Sequence, residues 1–223
     1  MDASRIGVIF DCDGTLVDSM GVWRELEADL AGRAGVELSQ EDVDTLTTLT
    51  IPEVGVFFHD RFGLGSSRQD VEDMIDDFMM DFYGGRCCAR PGALALVHGL
   101  AERGVHMSLA SSTPSDCIHA AMEHCGFSPC LDAILSVDDV GASKREPAVY
   151  DRARKIMGTP LESTWGAEDS IYALRTLRRA GYRTLGVYDC DLSGTMDQLA
   201  ENADRVIASF EELDAQTLIA WTC

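Results

Sequence analysis

The chain has 223 residues, 46% of them apolar, and carries 38 Asp plus Glu against 18 Lys plus Arg, a formal net charge of −20. That much apolar material supports one or two folded domains and excludes whole-chain disorder. An acidic field of this size excludes a general nucleic-acid or membrane-surface binder, since both partners are polyanionic. No apolar run approaches the roughly 18 residues of a membrane span. The first such run, Ile6–Phe10, is too short for a signal-peptide core, so a cytoplasmic protein is expected. Eight cysteines without a secretion signal are expected to be free thiols. The pair Cys87-Cys88 and the cluster Cys117, His119, His124, Cys125, Cys130 are the places to look for a metal among them.

In chain order, the first strand candidate is Ile6–Phe10. Residues 18–87 then read as helices without a convincing strand: 18–34, a segment started by Ser39, Pro52–Arg61 opened by a capping box at Thr50–Glu53, and an acidic helix started by Ser67. This stretch holds 16 acidic and 5 basic residues and no lysine. The stripe Phe78, Met79, Met80, Phe82 is read as its core. From residue 88 onward short apolar runs alternate with helical patterns. The strand candidates are Val105–Ala110, Ala133–Val137, Thr164–Ala167, Thr184–Tyr188 and Arg205–Ala208. Between them lie Gly92–Arg103, Ser115–Cys125, Pro147–Met157, Ile171–Ala180 and 193–200. Near-continuously apolar strands alternating with helices predict a doubly wound parallel sheet, an α/β class. The helical stretch is then a small all-helical domain inserted after the first strand. The expected division is 1–17 plus 88–223 for a Rossmann-like core, and 18–87 for the insert.

The strongest chemical signal is Phe10-Asp11-Cys12-Asp13-Gly14-Thr15-Leu16-Val17-Asp18-Ser19. Two carboxylates two residues apart leave the carboxyl end of a strand, where open parallel sheets bind ligands, and a divalent cation is their natural neutraliser. This string resembles the first motif of the haloacid dehalogenase superfamily. Leu109-Ala110-Ser111-Ser112 resembles the second motif, Lys144-Arg145-Glu146-Pro147 the third, and Gly166-Ala167-Glu168-Asp169-Ser170 the fourth. The insert stands where the helical cap of the β-phosphoglucomutase and phosphoglycolate phosphatase branch belongs.

The resemblance implies roles residue by residue. Asp11 would attack phosphorus to give an aspartyl-phosphate. Asp13 would protonate the leaving alcohol and later activate water. Ser111, with Ser112, Gly14 and Thr15, would contact the phosphoryl group, and Lys144 would offset its charge. Mg²⁺ would be held by Asp11, the backbone carbonyl of Asp13, and Asp169, with Glu168 acting through a water. Lys144 carries weight because the chain has only two lysines. Two positions depart from the family pattern: Ala148 replaces a common Asp, and Tyr172 replaces a small residue.

Asp13 argues against a dehalogenase, and the lysine-free insert argues against a Schiff-base phosphonatase. Trp23 stands where β-phosphoglucomutases carry a histidine. The expected function is therefore a Mg²⁺-dependent phosphatase of a small phosphorylated metabolite. The alternatives are a β-phosphoglucomutase-like isomerase and a catalytically silent phosphometabolite-binding module. Trp23, Thr47, Thr48, Thr50 and Phe57 are candidate specificity residues, and hinges are expected near 17–20 and 84–90. A monomer is expected. The net charge predicts that salt should not lower kcat/KM; a steep fall would point to a local positive patch around Arg145.

Overall fold

The computed structural model describes residues 2–46, 49, 51–189 and 194–222. The chain forms two compact units, Met1–Ser19 with Tyr83–Cys223, and Met20–Phe82.

The first unit begins with β1 (Gly7–Phe10) and β2 (Val17–Asp18), and resumes at Tyr83, within a π-helix over Phe82–Arg86, followed by β3 (Cys88–Ala89). The second unit supplies α1 (Val22–Ala34), α2 (Gln40–Leu46), α3 (Ile51–Phe62) and α4 (Arg68–Asp81). Then follow α5 (Ala93–Ala101), β4 (His106–Ser111), α6 (Ser115–His124), β5 (Ala133–Ser136), α7 (Ala148–Met157), β6 (Thr164–Glu168), α8 (Ile171–Ala180), β7 (Arg183–Val187), α9 (Met196–Asn202), β8 (Arg205–Ile207) and α10 (Ala215–Thr222). The six expected strands form one parallel sheet in the order β5-β4-β1-β6-β7-β8. Helices cover both faces. On one face Ile9 and Ala110 pack with Val149, Tyr150 and Ala153 of α7 and Leu177 of α8. On the other, Phe10 meets Phe210 edge-to-face at 6.4 Å. Successive β1 residues therefore feed opposite layers, which is why the strand reads as continuously apolar.

Two short segments depart from the expected pattern. Val17–Asp18 pairs antiparallel with Cys88–Ala89, and this two-residue ribbon keeps Asp18, Ser19 and Tyr83–Cys87 with the α/β unit rather than the insert. The α10 helix, absent from the sequence-based reading, is anchored by Trp165 Nε1, which donates to Thr222 Oγ1 at 2.8 Å.

The helical unit has its own core of Val22, Leu26, Leu30, Val54, Phe58, Val71, Ile75 and Met79, with α1, α3 and α4 packed together. Met79 and Phe82 are buried as expected, but Met80 is 40% exposed. Adjacent helical residues diverge by about 100°, so one face cannot bury both methionines. Ser39 and Asp42 cap α2 reciprocally: each side chain accepts from the other's backbone N–H, at 3.3 and 3.0 Å. Ser67 caps α4 by accepting from Asp70 N–H at 3.2 Å. Thr47, Thr48, Thr50 and the start of α9 expected at Ser193 lie outside the described residues; α9 itself is capped by Thr195 and Gln198. Trp23 is 37% exposed, and Phe57 joins an aromatic cluster with Phe58 and Phe62.

Candidate active site

Strand order reverses at β1: the chain moves outward through β4 and β5, then returns to β6, β7 and β8 on the other side. Ligand sites of open α/β sheets form at this point, outside the carboxyl ends of the strands. Phe10 pairs with Leu109 of β4 and Ala167 of β6, so the next residue of each strand, Asp11, Ala110 and Glu168, stands level at the sheet edge. Asp11 N–H donates to Ala167 O at 3.0 Å, which continues the ladder through the first catalytic candidate.

Asp11 Oδ1 accepts from Cys12 N–H at 2.6 Å and from Lys144 Nζ at 2.5 Å. Lys144 also donates to Glu168 Oε1 at 2.8 Å, and the same oxygen accepts from Tyr150 OH at 2.7 Å. All four residues are buried. Burial raises the pKa of Asp11, opposed by the Lys144 ammonium. It raises Glu168 well above its ordinary value, with the Asp11 charge adding to the effect. Burial works against the charge of Lys144, yet the two carboxylates outweigh it and raise its pKa.

Asp11, Glu168 and Asp169 each bring a carboxylate oxygen to within 4.8 Å of the others. One lysine stands against three buried carboxyl groups, so ionising all three calls for further positive charge. Glu168 Oε2 is buried without a hydrogen-bond partner. Gly14 lies at φ +68°, where a Cβ would meet Asp169 Oδ2 at 2.6 Å, so only glycine lets the turn approach that carboxylate. An all-oxygen donor set that calls for further positive charge and has an orphaned carboxylate oxygen fits a hard divalent cation such as Mg²⁺.

Asp13 stands apart from this group. Its Oδ1 accepts from Ser19 Oγ at 2.6 Å and Tyr83 OH at 2.7 Å, and its Oδ2 from Thr113 Oγ1 at 2.6 Å. Three hydroxyls thus hold one carboxyl group in a single orientation. Ser111 ends β4, and its Oγ accepts from Thr113 N–H at 3.0 Å, so the hydroxyl proton can donate elsewhere. Ser112 is exposed near Tyr172, whose ring carries the Arg145 guanidinium 5.0 Å from its centroid. Arg145, Tyr172, Arg175, Thr176, Arg178 and Arg179 line one open basin, a local positive patch on an acidic protein. Gly14 and Thr15 build the turn: their N–H groups donate to Val17 O and Cys12 O, and Thr15 is wholly buried.

Four further residues serve this site without having stood out in the sequence. Tyr83 and Thr113 orient Asp13 from 70 and 100 residues away. Tyr150 holds Glu168. Arg90 ties the motif turn to the end of β7, donating to Gly14 O at 2.8 Å and Tyr188 O at 2.7 Å and pairing with Asp189.

A sheet reversing at β1, with the loops that bear Asp11 and Asp13, Ser111, Lys144, and Glu168 and Asp169 brought to that end, is the architecture of an α/β enzyme. Residues 7–181 match the family model described as haloacid dehalogenase-like hydrolase, and the chain belongs to that family. It is 27% identical to hexitol phosphatase B of Escherichia coli over 217 residues, 96% of each chain. The crystal structure of CbbY from Rhodobacter sphaeroides in complex with phosphate superposes with a TM-score of 0.73 at 25% identity, covering 93% of this chain and 95% of that one. A putative β-phosphoglucomutase from Thermotoga maritima shares the fold with a TM-score of 0.80 at 17% identity, over 97% of each chain. The chain is a hydrolase of this family, and no helix among its described residues is long and apolar enough to cross a membrane.

Proposed function

We propose that this hydrolase removes phosphate from a small phosphorylated metabolite through a covalent phosphate on Asp11. The observation that carries the reading is the contrast between two carboxylates two residues apart. Asp11 is buried against Lys144 within an acidic cluster, whereas Asp13 is oriented by three neutral hydroxyls. A nucleophile must stay ionised beside an approaching anion, and a general acid must present its proton at a defined position.

Asp11 attacks phosphorus while Asp13 delivers a proton to the departing alcohol oxygen. Asp13 then takes a proton from the water that opens the aspartyl-phosphate. Lys144 favours the ionised form of Asp11 against its burial and offsets phosphoryl charge, and Ser111 donates its remaining proton to a phosphoryl oxygen. Ser112 borders the same edge. Asp11, Glu168 and Asp169, with the carbonyl of Asp13, would hold Mg²⁺. When bound, the cation supplies positive charge that lets a phosphate ester approach a buried carboxylate. The hexitol phosphatase relative supports a sugar-alcohol or sugar phosphate as the first substrate class to assay.

The test is phosphate release from a panel of phosphomonoesters, led by hexitol phosphates, with Mg²⁺ or EDTA. Release should require the metal, and Asp11→Asn should lower kcat by about 10⁴-fold or more. Release that persists in EDTA, or in the Asp11→Asn protein, overturns the mechanism.

A further inference from the structure

Two thiols in the α/β unit lie side by side and take no part in the chemistry above. Cys87 follows the π-helix at Phe82–Arg86, and Cys125 caps the carboxyl end of α6. Their Sγ atoms are 3.7 Å apart, at van der Waals contact. Cys87 is buried and Cys125 is half-buried, so one sulfur can meet a solvent oxidant while the other waits behind it. The contact between the two sulfurs lowers the Cys125 pKa and raises that of Cys87. This is the asymmetry of an attacking and a resolving thiol.

Cys87 is also wired to the candidate general acid. Its Sγ donates to Tyr83 O at 3.2 Å, and Tyr83 OH donates to Asp13 Oδ1 at 2.7 Å. We propose that Cys87 and Cys125 form a reversible disulfide on exposure to hydroperoxides, and that the disulfide slows turnover by displacing Tyr83 from Asp13. The second half rests on the phosphatase reading; the first does not.

The chemistry balances with one hydroperoxide. The Cys125 thiolate attacks the O–O bond, taking one oxygen as sulfenic acid and releasing an alkoxide or hydroxide that is protonated. The Cys87 sulfur then attacks the Cys125 sulfur and expels hydroxide, which leaves as water with the Cys87 proton. Two thiols and one hydroperoxide become one disulfide, one water and one alcohol, or a second water from hydrogen peroxide. The sulfurs close from 3.7 Å to about 2.05 Å. The thiol proton that Tyr83 O accepted is gone. Both changes fall on the segment that carries Tyr83, and a misplacement on the order of 1 Å at a reacting group costs up to about 10²-fold in rate.

The experiment treats the full-length, Mg²⁺-loaded protein with hydrogen peroxide, then with dithiothreitol. It reads non-reducing peptide mass maps, kcat, and amide exchange over residues 83–88. The expected result is a peptide joining Cys87 to Cys125, faster exchange in that segment, and a roughly tenfold fall in kcat that dithiothreitol reverses. Cys125→Ser and Cys125→Ala should retain kcat and lose peroxide sensitivity. A map without this cross-link, or with Cys87 joined to Cys88 instead, overturns the proposal. So does the cross-link with exchange and kcat unchanged, or full peroxide sensitivity in both Cys125 variants. If reduced protein releases no phosphate, the phosphatase reading fails, while the peptide map and exchange still decide the disulfide and the displacement.

Discussion

Asp70, at the start of α4 in the helical unit, accepts from Ser66 Oγ and N–H and from Ser67, and these donors hold its carboxyl below the ordinary range. Glu168, at the end of β6, accepts from Lys144 and Tyr150 and is held well above it, since burial outweighs them. Asp42 and Asp60 follow Asp70, lowered first by hydrogen bonds from Ser39 and Arg68 respectively. Asp11 follows Glu168. The same residue types therefore perform opposite work. In the helical unit, carboxylates held by hydroxyl, backbone and guanidinium donors cap helices and pair with arginines, and ionisation favours the fold. At the sheet edge, carboxylates are forced together out of water, and ionisation disfavours the fold until a cation compensates. Asp42, Asp60 and Asp70 serve local structure, whereas the acids of the candidate site gather where a cation would be needed.

Asp13 breaks the symmetry of this comparison, being in the site yet surrounded by hydroxyl donors like the acids of the helical unit. Asp13→Asn should lower kcat by about 10²- to 10⁴-fold on an alkyl phosphate. The loss should be far smaller on an aryl phosphate, whose leaving group needs no proton. Equal losses on both substrates would assign Asp13 to positioning alone.

Lys144→Met leaves Asp11 and Glu168 buried without their cation. Unfolding in urea at pH 7 should show a loss of about 3–5 kcal/mol. Both carboxyls then have folded pKa values above their unfolded ones, so the folded state binds more protons. Stability should be present at low pH and be lost as pH rises through the folded values. Adding Glu168→Gln to Lys144→Met should recover part of the loss. A variant as stable as wild type at pH 7 would show that the cluster is already protonated there.

In the helical unit the sign reverses. Asp42, Asp60 and Asp70 have folded pKa values below 3.8, so their contribution is present above that value and lost as pH falls through the folded ones. Hydrogen exchange below pH 4 should lose protection in Met20–Phe82 before it does in the sheet. Simultaneous loss would mean that the two units share one transition. The smallest effect is Ser67→Ala, which removes the α4 cap and should cost about 1 kcal/mol, read as a lower urea midpoint without loss of phosphate release at saturating substrate.

The candidate site residues were legible because they lie in short strings at strand ends. Asp11 and Asp13 follow one apolar run, Ser111 ends another, and Glu168-Asp169 follow a third. The parallel sheet was legible because its strands are apolar on both faces. Tyr83, Thr113, Tyr150 and Arg90 were not, since each meets its partner across at least 18 residues of chain and no local pattern marks such a pairing. The ribbon of Val17–Asp18 with Cys88–Ala89 was hidden for a related reason: two residues per strand show no alternation. Met80 was misassigned because neighbouring apolar residues do not reveal which side of a helix packs.

By itself, then, the sequence determined the class of fold, the four motif strings and the acidic excess, because hydrophobic period and motif spacing are local properties of the chain. Only the tertiary structure decided which carboxyl groups are buried together at the carboxyl ends of the strands and which are held by local hydroxyl and arginine donors. It also decided that three hydroxyls from separate segments converge on Asp13, and that Cys87 stands against Cys125. Burial and contact between distant segments arise when the sheet assembles, and no single stretch of sequence carries them.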